Sequence, residues 1–182
     1  LKRIQHDVGI TFVHVTHDQE EALTMADTIA VMNHGRIEQL GAPSELYERP
    51  RTAFVASFLG KSNLLDGVVA GPGSIRLADG TEVRAETGSI SGPIAIGVRP
   101  EKVALGPGGV NRLDGTVKET AYIGVATEVI VATRAGELTV FHQNVEAGGV
   151  IPRPASQVTL SWAPEATFAV DRTEQEEETD RT

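Results

Sequence analysis

The sequence contains no cysteine among its 182 residues. Disulfides, thiolate zinc sites, iron–sulfur clusters and a cysteine nucleophile are therefore excluded. Aromatic residues make up only 4% of the chain, so the core must be built mainly from valine, isoleucine, leucine and alanine. No apolar run approaches the roughly 18 residues that indicate a membrane span, and we recognise no secretory signal before the first predicted strand.

Basic residues are also few, and the formal net charge is −9. Such an acidic chain is a poor general binder of nucleic acid or anionic membranes. Part of the charge lies in an end segment at 173–182, which we interpret as an acidic disordered tail. Hydrophobic residues make up 40% of the whole chain and charged residues 23%, which is an ordinary globular balance.

The first sixty residues alternate between helical and strand patterns. Leu1, Ile4 and Val8 share one helical face, and the β-branched run at 10–15 predicts a buried strand. Asp18 and Glu21 have the spacing of a helix capping box. Further predicted elements are a strand at 28–32, its hairpin partner at 36–40, and helices at 43–47 and 52–59. Two major strands and one crossover cannot close an α/β domain, so we expect the missing strands upstream of Leu1 or in another chain.

From Lys61 onward, short β-rich segments are separated by turn residues, which predicts a small barrel or sandwich. The predicted strands are 64–70, 74–77, 81–85, 94–99, 115–121, 126–133, 137–141, 157–162 and 167–170. Asp79-Gly80 predicts a type I′ hairpin turn. The predicted domains are therefore 1–60, 61–172 and the tail.

His17 is the candidate functional residue. It lies where a predicted strand ends and a helix begins, at the edge of an α/β sheet where ligands bind. A histidine there can reach a phosphate or a hydrolytic water, although a polar loop histidine is the simpler interpretation. His14 lies three residues earlier, and on a strand the two rings point to opposite faces, so we expect no shared metal ion. We interpret His14 as a core or interface residue.

The segment around His17 resembles the switch-histidine region of ATP-binding-cassette (ABC) transporter ATPases. The similarity begins at Val15-Thr16-His17-Asp18-Gln19-Glu20-Glu21-Ala22 and continues through 26–32, 35–39, 41–43, 46–50 and 54–60. The order and spacing resemble maltose- and polyamine-type importer ATPases. This resemblance implies that His17 contacts the γ-phosphate of ATP and helps to position the attacking water, as phosphoryl transfer requires.

Other parts of that machinery are absent from the sequence. There is no G-x-x-x-x-G-K-[ST] phosphate loop, no Leu-Ser-Gly-Gly-Gln signature and no apolar strand that ends in Asp-Glu. In the family these motifs precede the switch histidine. The resemblance therefore implies the last part of a nucleotide-binding domain, with ATP and Mg²⁺ bound by the intact parent and no cofactor expected for this chain alone.

The second half resembles the TOBE domain, an OB-like barrel that follows importer ATPases. The similarity is carried by the motif at 96–105, the entry at 62–67, and the later segments 121–124 and 160–165. Arg99 and Glu101 form either a ligand pair or a structural ion pair, with Pro100 making the bend rigid. The expected fold is an α/β end of an ABC ATPase domain followed by an all-β OB-like barrel.

Two functions from different classes remain open at this point. The first is a fragment of an importer ATPase, polyamine-type, with a second ATPase subunit and membrane permease subunits as partners and a solute-binding protein as an indirect one. It would lie on the cytoplasmic face of the plasma membrane. The alternative is a stand-alone OB-like regulatory or dimerisation module that binds a small anion or a partner chain. Because OB-type nucleic-acid sites need basic grooves and stacking aromatics, we expect no nucleic-acid partner.

Overall fold

A computed structural model describes Asp7, residues 9–144 and residues 151–171. The helix predicted at 1–8, Asp7 excepted, and the acidic tail at 173–182 lie outside these residues. The chain divides into two compact units, Leu1–Gly60 and Lys61–Thr182. None of the helices in the described ranges combines the length and the apolar character that crossing a bilayer requires.

The first unit consists of three short helices and one β-hairpin. Its elements are α1 (Gln19–Met25), β1 (Ile29–Asn33), β2 (Arg36–Gly41), α2 (Pro43–Glu48) and α3 (Ala53–Phe58). Local signals explain their bounds: α2 begins with proline, and the Thr52 hydroxyl accepts a hydrogen bond from Val55 N at the start of α3. The hairpin turns at His34 and Gly35, with φ of 45° and 77°, which is the left-handed geometry of a type I′ turn.

The strand predicted at 10–15 is wrong for the described chain. This segment forms no strand and pairs with no described strand, and Val13 and Val15 are 90% and 92% exposed. A β-branched run supplies the side chains for a buried strand, but a strand also needs neighbours that accept and donate its backbone hydrogen bonds. No described segment fills that role beside residues 10–15.

The core of the first unit joins the hairpin to α2 and α3. It consists of Ile29, Val31, Leu46, Val55 and Leu59. Beside this core, the buried Gln39 amide bridges the bend between the two helices: its nitrogen donates to Arg49 O at 3.1 Å and its oxygen accepts from Arg51 N at 2.9 Å. The side chain thereby satisfies the backbone on both sides of Pro50, where the chain cannot continue a helix.

The second unit consists of two five-stranded antiparallel sheets over one core. Its strands are β3 (Asn63–Gly71), β4 (Ser74–Leu77), β5 (Glu82–Arg84), β6 (Pro93–Val98), β7 (Ala104–Leu105), β8 (Asn111–Tyr122), β9 (Ala126–Thr133), β10 (Glu137–Gln143), β11 (Gln157–Trp162) and β12 (Thr167–Asp171). The sheet orders are β10-β9-β8-β11-β7 and β12-β6-β3-β4-β5. Both sheets contribute to one apolar cluster that includes Leu65, Ile96, Val129 and Trp162. The predicted all-β fold is confirmed, with β7 as a strand that the sequence did not predict.

The two sheets are built from a tandem repeat that the sequence analysis did not detect. The pattern N-x-L-D-G-x-V opens β3 at 63–69 and β8 at 111–117. Each copy continues with a hairpin, a fourth strand, a short 3-10 helix that begins with Pro-Glu, and a last strand. The last strands are exchanged, since β7 pairs with β11 and β12 pairs with β6. Each copy therefore completes the sheet of the other.

The first asparagine of each copy clamps the edge strand of the opposite sheet. Asn63 donates to Thr139 O at 2.8 Å and accepts from Thr139 N at 2.7 Å, on β10. Asn111 donates to Arg84 O at 2.8 Å and accepts from Arg84 N at 2.7 Å, on β5. Each side-chain amide thus makes the two backbone hydrogen bonds that a neighbouring strand would make to one residue of an edge strand.

The turn predicted at Asp79-Gly80 is present, but its type is different. Among the described non-glycine residues only His34 and Ala155 have positive φ, whereas Gly80 has a φ of 88°. The loop is closed by Gly80 N to Leu77 O at 2.9 Å and Leu77 N to Thr81 O at 2.8 Å. A type I′ turn has two loop residues, both with left-handed φ. This loop has three residues, 78–80, between Leu77 and Thr81, and only Gly80 has a left-handed φ.

Candidate functional site

His17 lies on the turn that enters α1. Its side chain is exposed, and within the described residues its ring makes no hydrogen bond or ion pair. The residue on its C-terminal side, Asp18, is the N-cap of α1 and accepts a hydrogen bond from Glu21 N at 3.0 Å. The ring is therefore accessible to a ligand while its backbone is attached to a capped helix.

Side chains on both flanks of His17 hold this turn. Asp18 N donates to Thr16 Oγ1 at 3.0 Å. Only the Asp18 half of the predicted capping box is therefore present. In a capping box, the Glu21 carboxylate would accept a hydrogen bond from Asp18 N. Here Asp18 N donates to Thr16 Oγ1 instead.

Glu21 also contacts His14, at 3.2 Å between Oε2 and Nε2. The pKa of Glu21 is lowered, first by the nearby Thr16 hydroxyl and second by the His14 ring, because both favour the ionised carboxylate. His14 was predicted to be a core or interface residue; its side chain is 52% exposed, so the core alternative is wrong for the described chain and the interface alternative stays a prediction. No group of three or more metal-ligating side chains occurs in the part of the chain that the structure describes.

Gly60-Lys61-Ser62 has the last three residues of a phosphate loop, but it is not one. Val55 stands where the loop requires its first glycine. Val55 is fully buried in α3, and the Lys61 ammonium forms an ion pair with Glu128. Position 55 therefore lacks the backbone freedom of the glycine that a phosphate loop needs, and the Lys61 ammonium is held by Glu128 and not available to a phosphate.

Arg99 is 1% exposed in the second unit. Its guanidinium donates to Lys61 O at 3.2 Å and to Ser62 Oγ at 2.5 Å, and it lies 5.6 Å from the centre of the Phe168 ring. A buried charge needs such partners. These contacts give Arg99 a structural role at the entry to the barrel; the ion pair with Glu101 stays a prediction.

Residues 96–170 match the TOBE domain family. A solved structure of the cytoplasmic molybdate-binding protein ModG is similar in fold, with a TM-score of 0.52 at 19% identity, over 59% of this chain and 94% of that one. The second unit thus has the fold of a TOBE domain, an all-β OB-like architecture.

The chain as a whole is similar to ATP-binding proteins of importers. The spermidine/putrescine import ATP-binding protein PotA of Frankia alni is 46% identical over 193 residues, 93% of this chain and 41% of the relative. PotA of Thermobifida fusca is 45% identical over 93% of this chain and 47% of its own length. The uncharacterized ABC transporter ATP-binding protein YdcT of Escherichia coli is 40% identical over 90% of this chain and 44% of its own length.

The chain spans a little under half the length of the curated relatives it matches. The resemblance that the motifs indicated is confirmed: this chain is a relative of ABC importer ATP-binding subunits and carries a TOBE domain. The similarity extends over nine-tenths of the chain, so it includes the first unit as well as the barrel.

Proposed function

We propose that this chain is the part of a polyamine-type ABC importer subunit that carries the switch histidine and the TOBE domain, and that His17 contacts the γ-phosphate of ATP. The observation that carries the proposal is the exposed His17 ring on a turn fixed by Thr16 and Asp18. The 45–46% identity to spermidine/putrescine import ATP-binding proteins supports it.

The residues present fit one contact with ATP and no more. An imidazole can donate a hydrogen bond to a phosphate oxygen and hold a water molecule. Because the sequence has neither a phosphate loop nor an Asp-Glu strand end, the remaining contacts to ATP and Mg²⁺ must come from other residues of the subunit. ATP supplies the phosphoryl group whose hydrolysis drives uptake, and this chain contributes one positioned histidine to that site.

The proposed partners follow from an importer subunit of this kind. They are a second ATP-binding subunit, which gives a homodimer, the permease subunits in the membrane and, indirectly, a solute-binding protein. The subunit is then peripheral, on the cytoplasmic face of the plasma membrane. Spermidine or putrescine is the proposed solute because the relatives named above carry that assignment. A stand-alone OB-like module has no comparable support.

A chimeric protein tests this function. In the chimera, residues 1–182 replace the matching segment of the Thermobifida fusca protein. That protein matches 93% of the present chain. We expect the chimera to hydrolyse ATP and to restore spermidine uptake in cells that lack their own import ATP-binding subunit. A chimera that folds and binds ATP but never hydrolyses it contradicts the proposal. The parent protein with its own segment is the positive control.

A further inference from the structure

A short link joins the core of the first unit to the first strand of the second unit. Leu59 belongs to the first core and is 1% exposed, and Asn63 begins β3 and is 5% exposed. Between them lie Gly60, Lys61 and Ser62. Gly60 has a φ of 137°, a value that glycine adopts without steric cost because it has no Cβ. Both ends of the link are therefore buried, and its first residue has a backbone conformation that suits glycine.

The Lys61 side chain is bound to two neighbouring strands of the second unit. Its ammonium forms an ion pair with Glu128 on β9 and lies 5.7 Å from the centre of the Phe141 ring on β10. Glu128 and Phe141 are opposite each other in the register of these strands. Because the Glu128 side chain is only 18% exposed, solvent screens this contact less than it screens an ion pair on an open surface. A carboxylate and an aromatic ring thus hold one ammonium together.

The backbone around Lys61 is held by different residues. The Arg99 guanidinium, which follows β6, donates to Lys61 O at 3.2 Å and to Ser62 Oγ at 2.5 Å. The Asn63 amide bonds both backbone groups of Thr139 on β10, at 2.8 and 2.7 Å. Three consecutive residues are therefore attached to the second unit through separate partners.

We propose that residues 61–63 are a strap clamped to the second unit, and that Gly60 is the hinge at which the two units turn independently. A segment with several fixed contacts moves with the body to which it is attached. Because Leu59 is fixed in the first core, the change in backbone dihedrals falls on Gly60, and glycine absorbs such a change at low cost. This inference goes beyond the proposed function and does not depend on it.

Nitrogen-15 relaxation of the 182-residue chain tests both parts of the proposal. We expect Lys61 and Ser62 to have NMR order parameters near 0.85, as rigid backbone does, and Gly60 to fall below about 0.6. If Lys61 and Ser62 are as mobile as Gly60, the strap is overturned. If Gly60 is as rigid as they are, the hinge is overturned.

Trypsin cleavage of the Lys61–Ser62 bond measures how often the strap is released. A lysine side chain that is bound to Glu128 cannot enter the protease at the same time. Mass spectrometry identifies the bond that is cut. We expect Glu128→Gln and Ser62→Ala each to raise the cleavage rate at this bond roughly tenfold, because each removes one bond to a charged group and cleavage follows the population of the open form.

Two controls separate release of the strap from general destabilisation. Glu137→Gln breaks the exposed ion pair with Lys118 in the same sheet and should leave cleavage after Lys61 unchanged. Cleavage after Arg112, inside β8, reports unfolding of the whole unit and should not change in any variant. A Glu128→Gln protein that is cut after Lys61 no faster than Glu137→Gln would overturn the clamp. Parallel rises after Lys61 and Arg112 would overturn it as well, because the contact would then support the whole fold and not the strap.

Discussion

Replacing Asn111 by alanine tests whether the asparagine clamps hold the two sheets together. The side chain is 2% exposed. It makes both hydrogen bonds to the backbone of Arg84, at 2.7 and 2.8 Å, and a third, at 3.3 Å, to the Thr167 hydroxyl. Because β5 is the edge of its sheet, Asn111 is the only described hydrogen-bond partner for this side of Arg84.

The expected cost follows from the groups left without partners. A buried backbone donor or acceptor that loses its partner costs about 1–3 kcal/mol. The substitution removes the partner of two such groups, Arg84 N and Arg84 O. Because water reaches part of an edge strand, we expect a destabilisation of about 2–4 kcal/mol. Asn63→Ala should cost a similar amount, because Asn63 makes the equivalent pair of bonds to Thr139 in the other copy of the repeat.

Urea unfolding measured by the fluorescence of Trp162 reports on this unit. Trp162 is the single tryptophan, is 2% exposed and donates to Thr167 Oγ1 at 2.9 Å. Gln157→Ala is the matched control, since its amide bonds the Thr116 hydroxyl at an exposed site. Its effect should stay within about 0.5 kcal/mol. An Asn111→Ala protein as stable as this control, with an unchanged dependence on urea, would refute the clamp.

Three further predictions concern single positions. Gly97→Ala places a Cβ 2.0 Å from the nearest carbon of the Phe168 ring, whereas a Cβ at Gly108 meets nothing within 4 Å. Measured by urea unfolding, Gly97→Ala should lower the free energy of unfolding by about 1–3 kcal/mol. Gly108→Ala is the control and should have a much smaller effect. Gly35→Ala in the first unit should cost about 1–2 kcal/mol by far-UV circular dichroism, because φ is +77° in open space and the penalty is backbone strain alone. Lowering the pH through the depressed pKa of Glu21 should loosen the start of α1, seen as lower protection of its amides relative to their intrinsic exchange rate at each pH; protection that stays constant over this range would contradict the prediction.

The elements that the sequence predicted well are those set by local chemistry. The cap at Asp18, the proline that begins α2 and the cap at Thr52 act within one helical turn, so neighbouring letters contain the whole signal. The hairpin at 33–36 is likewise decided by its own turn residues. His17 could be identified from the sequence as the candidate functional residue because the motif around it occupies consecutive positions, 15–22.

The features that the sequence analysis missed depend on contacts distant in the chain. The two-residue strand β7 exists because Leu105 and Ala104 pair with β11, more than fifty residues later. The run at 10–15 shows the converse, since a strong strand pattern forms no strand without a described neighbour. The spacing of Asp18 and Glu21 predicts a full capping box, but it does not reveal that Asp18 N donates to Thr16 Oγ1.

The tandem repeat was visible in the sequence but not recognised. N-x-L-D-G-x-V at 63–69 and 111–117 is short, and the intervening hairpins differ in length. Its significance lies in the exchanged last strands, which make each copy dependent on the other. Comparing the chain with itself would have predicted two equivalent sheets and drawn attention to Asn63 and Asn111.

The most direct test of the account is ATP hydrolysis by the chimera with His17 replaced by alanine. Hydrolysis should fall by about 100-fold or more, while ATP affinity changes little, because the contact proposed for His17 is with the γ-phosphate alone and the rest of the chimera makes the other contacts to ATP. His34→Asn is the matched control: His34 is an exposed histidine of the same unit in a left-handed turn that asparagine tolerates. A His17→Ala chimera that hydrolyses ATP at the rate of the His34→Asn protein would contradict the assignment of His17.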